Sequence, residues 1–271
     1  MAPQATLHRV TPGTDVDVSA LDAADTRAAP GDKEATKEAS EALAVRLAGL
    51  QEILWARRDH SVLVILQGID TSGKGGTVEH VFGAVNPAGL RVVSFKAPTK
   101  PELERDYLWR IHAQVPADGE IGVFDRSHYE DVLAVRVEGL APEEVWRRRF
   151  DHINAFEQLL VDEGTTVVKL FLHISKQEQA ERLQARLDEP EKHWKFRVED
   201  LDARSRWEDY EAAFSDALSR TSTEHAPWYA IPADKKWYRN WAVATIMVDV
   251  LEGLDLRWPD AAPGLADVVI D

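Results

Sequence analysis

The chain has 271 residues, 44% of them hydrophobic and 29% charged, with a formal net charge of -15 and no cysteine. That length can bury one sizeable core, while the missing cysteines exclude disulfides, thiolate metal sites and cysteine nucleophiles. No apolar run approaches the roughly 18 residues of a membrane-spanning helix, and the acidic balance repels nucleic acid and anionic membrane surfaces. Neither nucleic acid nor membrane is therefore expected as a partner. The opening MAPQATLHRV has no basic start followed by an apolar stretch, so no secretory signal is read there and a cytoplasmic location is expected.

Residues 1–32 are rich in Ala, Asp, Thr, Pro and Gly without a period, which predicts a flexible N-terminal arm. Leu43, Leu47, Leu50 and Leu54 fall on one helical face and predict a helix over 33–58. The branched apolar run 61–66 reads as a strand buried on both faces. A glycine-rich loop follows, then a helix with Val78, Val81, Phe82 and Val85 on one side. Residues 86–89 (NPAG) carry turn chemistry. A second strand is expected over 91–95, ended by Pro98 and Pro101, then a helix near 103–112 and a third strand over 120–125. A long helix is expected from Pro142, where proline suits the start and Glu143 and Glu144 suit the positive helix end. The run 166–174 is the fourth strand, followed by a helix over 176–187 and a polar, basic-leaning insert over 188–197. A helix carrying Trp207, Tyr210, Phe214 and Leu218 precedes a short fifth strand over 228–232 and a last helix over 237–251. Alternation of this kind predicts the α/β class: one domain over 33–257, a parallel sheet covered on both faces, and a tail over 258–271.

The segment GIDTSGKGG over 68–76 fits G-x-x-x-x-G-K, the phosphate-binding loop, in the required setting between a buried strand and an amphipathic helix. A glycine-rich turn without a ligand is the plain alternative. Read as a phosphate loop, Gly68, Gly73, Gly75, Gly76 and Thr77 are the candidate cradle and Lys74 the cation that reaches the transferring phosphates. Gly75 stands where such loops usually carry the Ser or Thr that holds Mg²⁺. The metal would then need another ligand, and Asp70 inside the loop is the obvious one. Asp125 and Arg126 end the third strand, the edge of a parallel sheet where ligands bind. Asp125 takes the position of a metal-binding carboxylate, and Arg126 offers a planar fork to a phosphate; a surface ion pair is the alternative. Arg182, Arg186, Lys192, Lys195 and Arg197 gather where nucleotide kinases carry a mobile lid, here about 188–204. A solvated charged loop would look similar, yet this segment could supply the local positive field that the net charge denies. The histidines show no metal-ligand spacing, and the tryptophans read as core or pocket walls.

Several longer stretches, GIDTSGKGGTVEHVFGAVNPAG, SFKAPTKPELERDYLWRIH, GEIGVFDRSHYEDVL, PEKHWKFR and APWYAIPADKKWYRNW, together resemble the polyphosphate kinase 2 family across roughly residues 40–255. The resemblance implies a P-loop kinase fold, a five-stranded parallel sheet with a helical lid, assembled as a dimer or tetramer. It implies phosphoryl transfer between inorganic polyphosphate and adenine or guanine nucleotides, with Mg²⁺ or Mn²⁺ held by Asp70 and Asp125. Lys74, Arg126 and Arg182 match positions that contact phosphates, and Lys192, Lys195 and Arg197 match the lid. The YEDVL run at 129–133 resembles the branch acting on both nucleoside mono- and diphosphates. That branch commonly carries Asp where Gly75 stands and Asn where Asp125 stands, so AMP and ADP both remain open as acceptors. An ATP-dependent nucleoside monophosphate kinase, which would share loop and lid, is the alternative. A guanine-nucleotide switch lacks its N-K-x-D motif here.

Overall fold

The computed structural model describes residues 5–265, 268 and 270. Asp32 opens α1 (Lys33–Arg57) by accepting the amide of Ala35 at 2.9 Å, a cap of about 1 kcal/mol, and Arg58 ends it in a left-handed conformation. β1 (Ser61–Gln67) follows, buried at every position. After it come α2 (Lys74–Phe82), β2 (Leu90–Ser94), the single turns α3 (Lys100–Leu103) and α4 (Trp109–His112), β3 (Ile121–Asp125) and the short α5 (Ala134–Val137). The remainder is α6 (Glu143–Asp162), β4 (Thr165–His173), α7 (Lys176–Asp188), a 3-10 stretch over Pro190–Lys195, α8 (Glu199–Ser205), α9 (Trp207–Thr221), β5 (Trp228–Pro232) and α10 (Lys236–Glu252).

All strands are parallel, in the order β2-β3-β1-β4-β5. Side chains alternate across the sheet, and the core divides accordingly. Val62, Val64 and Leu66 of β1 face a layer built from α1, α2 and α10, while Leu63 and Ile65 face α6 and α9. The expected five-stranded parallel sheet covered on both faces is what the chain forms. The helix expected near 103–112 is two separate turns; the carboxylate of Asp106 takes the amide of Leu108 at 3.0 Å and starts a new turn between them.

The first segment differs from its expected character. Residues 5–32 are not a loose arm but are packed along the β5 edge and over α9. Val10 donates its amide to the Trp228 carbonyl at 2.8 Å, Ala230 donates to His8 at 2.9 Å, and Arg9 bridges Tyr229 in antiparallel fashion. Val16 and Val18 donate to the hydroxyls of Ser219 and Ser215. Ala5, Val10, Val18 and Ala23 are buried. The composition is loop-like because the segment forms no long regular element, but these few apolar plugs and the unpaired sheet edge suffice to hold it.

Candidate active site

β1 delivers the chain to the carboxyl end of the sheet, where the phosphate loop begins. A side chain at Gly68 would put its Cβ 2.6 Å from the Leu172 carbonyl oxygen on β4, so only glycine lets the loop leave this close to its neighbour. The turn closes through the Ser72 amide, which donates to Ile69 at 3.0 Å. Lys74, at the start of α2, is buried and folds back to donate to the Gly68 carbonyl at 2.8 Å. Gly75 and Gly76 complete the first helical turn. Thr77 is fully buried, and its hydroxyl donates to Gly73 at 3.1 Å, so it is turned into the helix rather than toward the mouth of the loop.

Asp70 projects from the loop and meets Arg126 across the site, with Oδ1 and Nη2 2.5 Å apart and both side chains partly exposed. Arg126 adopts a left-handed backbone (φ 64°) and anchors its amide on the Leu66 carbonyl at 3.1 Å. Such a conformation is costly for a residue with a Cβ and persists where surroundings enforce it. Burial works against the Asp70 charge, but Lys74 and Arg126 outweigh it and hold the carboxyl below its usual range. Burial likewise opposes the Arg126 charge, and Glu130, Asp70 and Asp125 outweigh that, raising its pKa. Glu130 behaves oppositely to Asp70: burial pushes its carboxyl up against the pull of Arg126 and Lys74. Asp125 ends β3 in register with Leu66 of β1 and Ser94 of β2, and no hydrogen bond or ion pair engages its carboxylate among the described residues.

A cavity of about 450 Å³ opens in front of this pair. Gly68, Asp70, Arg126 and Glu130 line it at the loop; Leu133, Tyr210 and Phe214 give it an apolar wall; Arg197, Asp200 and Arg206 line it from the chain around α8. Of the predicted lid cations, Arg197 lines the cavity. Lys192 pairs with Glu189, and Lys195 stacks 5.0 Å from the ring of exposed Trp194, so both sit off the cavity. Arg186 holds the 188–204 segment, the expected lid, donating to the Lys195 carbonyl at 2.9 Å and to Asp200 at 3.0 Å. Arg182 is brought to the loop but not into the cavity. Its Nη1 donates to the carbonyls of Thr71 and Ser72, its Nη2 to those of Ala233 and Asp234, and its Nε to Glu178.

Sequence reasoning did not single out Glu130, Arg206 or Arg239. Arg239 lies 2% exposed under the loop; its signal was the KKWYRNW stretch quoted above. Tyr210 and Phe214 were read as helix packing and prove to be cavity wall as well. Elsewhere, His128, Tyr129, Glu157 and Lys169 form a sealed polar cluster beneath the sheet. Lys169 on β4 meets Glu157 on α6 at 2.5 Å, with both side chains fully buried.

A model of the polyphosphate kinase 2 family matches residues 31–257. The chain belongs to that family. It is 53% identical to an AMP/ADP-polyphosphate phosphotransferase of Meiothermus ruber over 264 residues, 97% of this chain and 99% of the relative. It is 44% identical to an ADP-polyphosphate phosphotransferase of Rhodopseudomonas palustris over 230 residues, 80% of each. The crystal structure of polyphosphate kinase 2 from Arthrobacter aurescens TC1 superposes with a TM-score of 0.92 at 48% identity, covering 96% of this chain and 93% of that one.

Members of the polyphosphate kinase 2 family are P-loop kinases, and the donor set here bears on a metal. Among the described residues no three His, Cys, Asp or Glu side chains converge into a protein-only metal site. Asp70 and Asp125 instead stand at the ends of neighbouring strands. Two carboxylates completed by phosphate oxygens and water suit Mg²⁺, which rarely takes an all-protein cage. The residues present fit such a metal.

Proposed function

We propose that this protein transfers phosphoryl groups between inorganic polyphosphate and AMP or ADP, in both directions. The observation that carries the reading is the near end-to-end match to an AMP/ADP-polyphosphate phosphotransferase in a chain whose loop, Lys74 and Asp70–Arg126 pair meet at one cavity. The nucleotide enters the cavity with its base against Leu133, Tyr210 and Phe214; adenine is the expected base and guanine the alternative. Polyphosphate lies on the other side of the loop. There burial lowers the pKa of Lys236, and Arg182, Arg239 and Lys192 lower it further, which marks a concentration of cations. This is the local positive field that a chain of net charge -15 needs for a polyanion.

The chemistry asked of the protein is positioning and charge neutralisation. A nucleotide phosphate oxygen attacks the terminal phosphorus of the polymer, and the bond to the shortened chain breaks in line. The loop amides and Lys74 receive the charge on the transferring group. Arg126, oriented by Asp70, grips a phosphate oxygen through its fork. Arg197 and Arg206 add charge from the lid side and exclude water. Asp70 and Asp125 would hold a divalent metal, Mg²⁺ or Mn²⁺, which would supply charge neutralisation to phosphate oxygens.

The test supplies purified protein, Mg²⁺ and long-chain polyphosphate with AMP or ADP in separate reactions. Nucleotide phosphorylation that requires polyphosphate is expected from both. Phosphorylation of AMP by ATP alone, with none from polyphosphate, would reassign the protein to the ATP-dependent nucleoside monophosphate kinases. A homo-oligomer, dimer or tetramer, and a cytoplasmic location belong to the same reading and are checked by sedimentation and cell fractionation. No helix of the described residues is long and apolar enough to cross a membrane.

A further inference from the structure

Arg239 is the most unusual charge in the molecule. It projects from the first turn of α10 and is 2% exposed. Its Nε and Nη2 both donate to the side-chain oxygen of Asn240, at 3.1 and 2.7 Å, and its Nη1 reaches the Ser72 carbonyl at 3.5 Å. Every one of these acceptors is neutral, and no carboxylate forms an ion pair with it among the described residues. A buried guanidinium without a counter-charge costs stability. Burial and the nearby Arg182 lower its pKa to about 10.

The loop is shaped around this group. A Cβ on Gly73, whose φ is +99°, would lie 1.8 Å from Arg239 Nη1, and one on Gly76 would lie 3.4 Å from Nη2. Arg182 works from the adjoining side, taking the Thr71 and Ser72 carbonyls at 2.9 and 3.1 Å. In a trans peptide the carbonyl and the following amide point in opposite directions within the plane. Turning the Ser72 carbonyl toward Arg182 and Arg239 therefore turns the Gly73 amide the other way, the orientation an anion nest requires. Arg182 has Glu178 to offset its charge; Arg239 has only Asn240.

We propose that Arg239 is a positioning residue for phosphoryl transfer, acting through Ser72 and Gly73 on the shape of the loop and, through its uncompensated charge, on the affinity of the loop for phosphate. The neutral amide of Asn240 is part of the device: it orients the fork without cancelling its charge. This rests on the polyphosphate reading above, and the test separates the two.

Asn240→Asp places a carboxylate on the fork with little change of shape. Arg239→Met removes the charge, and Arg239→Lys keeps it without the fork. Each variant is melted alone and with tripolyphosphate, and kcat and KM for polyphosphate are measured at saturating ADP. For Asn240→Asp, the expected result is a ligand-free Tm equal to or above wild type, a smaller rise with tripolyphosphate, and a KM for polyphosphate up about tenfold. That is the size seen when the partner of a binding group is altered. Arg239→Lys should recover part of what Arg239→Met loses. A folded Asn240→Asp with wild-type KM and wild-type ligand-induced Tm rise overturns the proposal, as does an Arg239→Lys no better than Arg239→Met. If wild-type protein transfers nothing from polyphosphate, the functional reading fails on its own, and the tripolyphosphate melts still decide the role of Arg239.

Discussion

Two ion pairs of equal span sit at different depths, one at the middle of β4 and one at the carboxyl end of the sheet. Lys169 and Glu157 lie 2.5 Å apart and fully buried; Arg126 and Asp70 lie 2.5 Å apart and about a third exposed. The first pair is saturated. Lys169 also donates to the Tyr129 hydroxyl at 3.0 Å and the Thr221 carbonyl at 2.6 Å, while Glu157 takes the Tyr129 hydroxyl at 2.8 Å. Burial opposes both charges, but the contact with Lys169 holds the Glu157 carboxyl below its ordinary range. The second pair keeps capacity in reserve, because one carboxylate oxygen of Asp70 and most of the Arg126 fork face a cavity. Equal length thus goes with opposite surroundings: one pair is sealed in protein, and the other borders the cavity.

The sharpest way to break this contrast is to remove one partner of each pair. Lys169→Met strands a buried carboxylate and should cost about 3–5 kcal/mol in unfolding free energy, read from denaturant titration. Lys169→Met combined with Glu157→Gln should recover much of that loss. If the single variant melts like wild type, the buried pair is not a support.

On the open side, Asp70→Ala and Lys74→Ala should each lower kcat by about 10²–10³-fold, the size found when one charge-stabilising group is removed from a reaction centre. The Asp70 variant should also melt below wild type at pH 7, while both variants remain folded under assay conditions. Loss of folding instead of turnover would show that the open pair is structural too.

The strands were legible because a strand buried on both faces is a short continuous apolar run, and 61–66 and 166–174 are such runs. Lys169 sits inside one of them, and nothing in the linear pattern marks a lysine that will be buried; its partner Glu157 comes from another element. The same limit applied to the site. Gly68 to Lys74, and Asp125 with Arg126, are contiguous, so local motifs placed them. Arg239 reaches the loop from far along the chain, and Glu130 owes its character chiefly to burial. Residues 5–32 misled because a segment pairing with an edge strand needs neither periodicity nor high apolar content.

Acidity sharpens the contrast within the open site, because two of its carboxyls, Asp70 and Glu130, shift in opposite directions. Glu130 holds its proton in the folded chain at pH values where the unfolded chain has lost it. It therefore lowers stability above its folded pKa, and the penalty fades as pH falls toward the ordinary 4.5. Asp70 does the reverse, adding stability above 3.8 that is lost as pH falls through its lower folded value. Glu130→Gln should thus raise Tm at pH 7 and leave it near wild type at pH 4, and Asp70→Asn should lower Tm at pH 7. The smallest effect is expected at the surface. Arg46 and Glu252, 2.7 Å apart and about half exposed, should show a coupling of about 0.2–1 kcal/mol in a double-mutant cycle. A value matching the buried pair would remove burial as the variable that separates these pairs.

The antiparallel bridge between Arg9 and Tyr229, with the His8 ring nitrogen 2.6 Å from the Tyr238 hydroxyl, has a consequence for biosynthesis. Residues 8 and 9 are made more than two hundred residues before the residues on which they dock. At the usual pace of translation, the leading segment waits roughly 10–45 s for β5 to leave the ribosome. During that interval its polar, proline-containing composition keeps it soluble on its own. Once docked, the segment covers an edge strand that would otherwise be open to another chain.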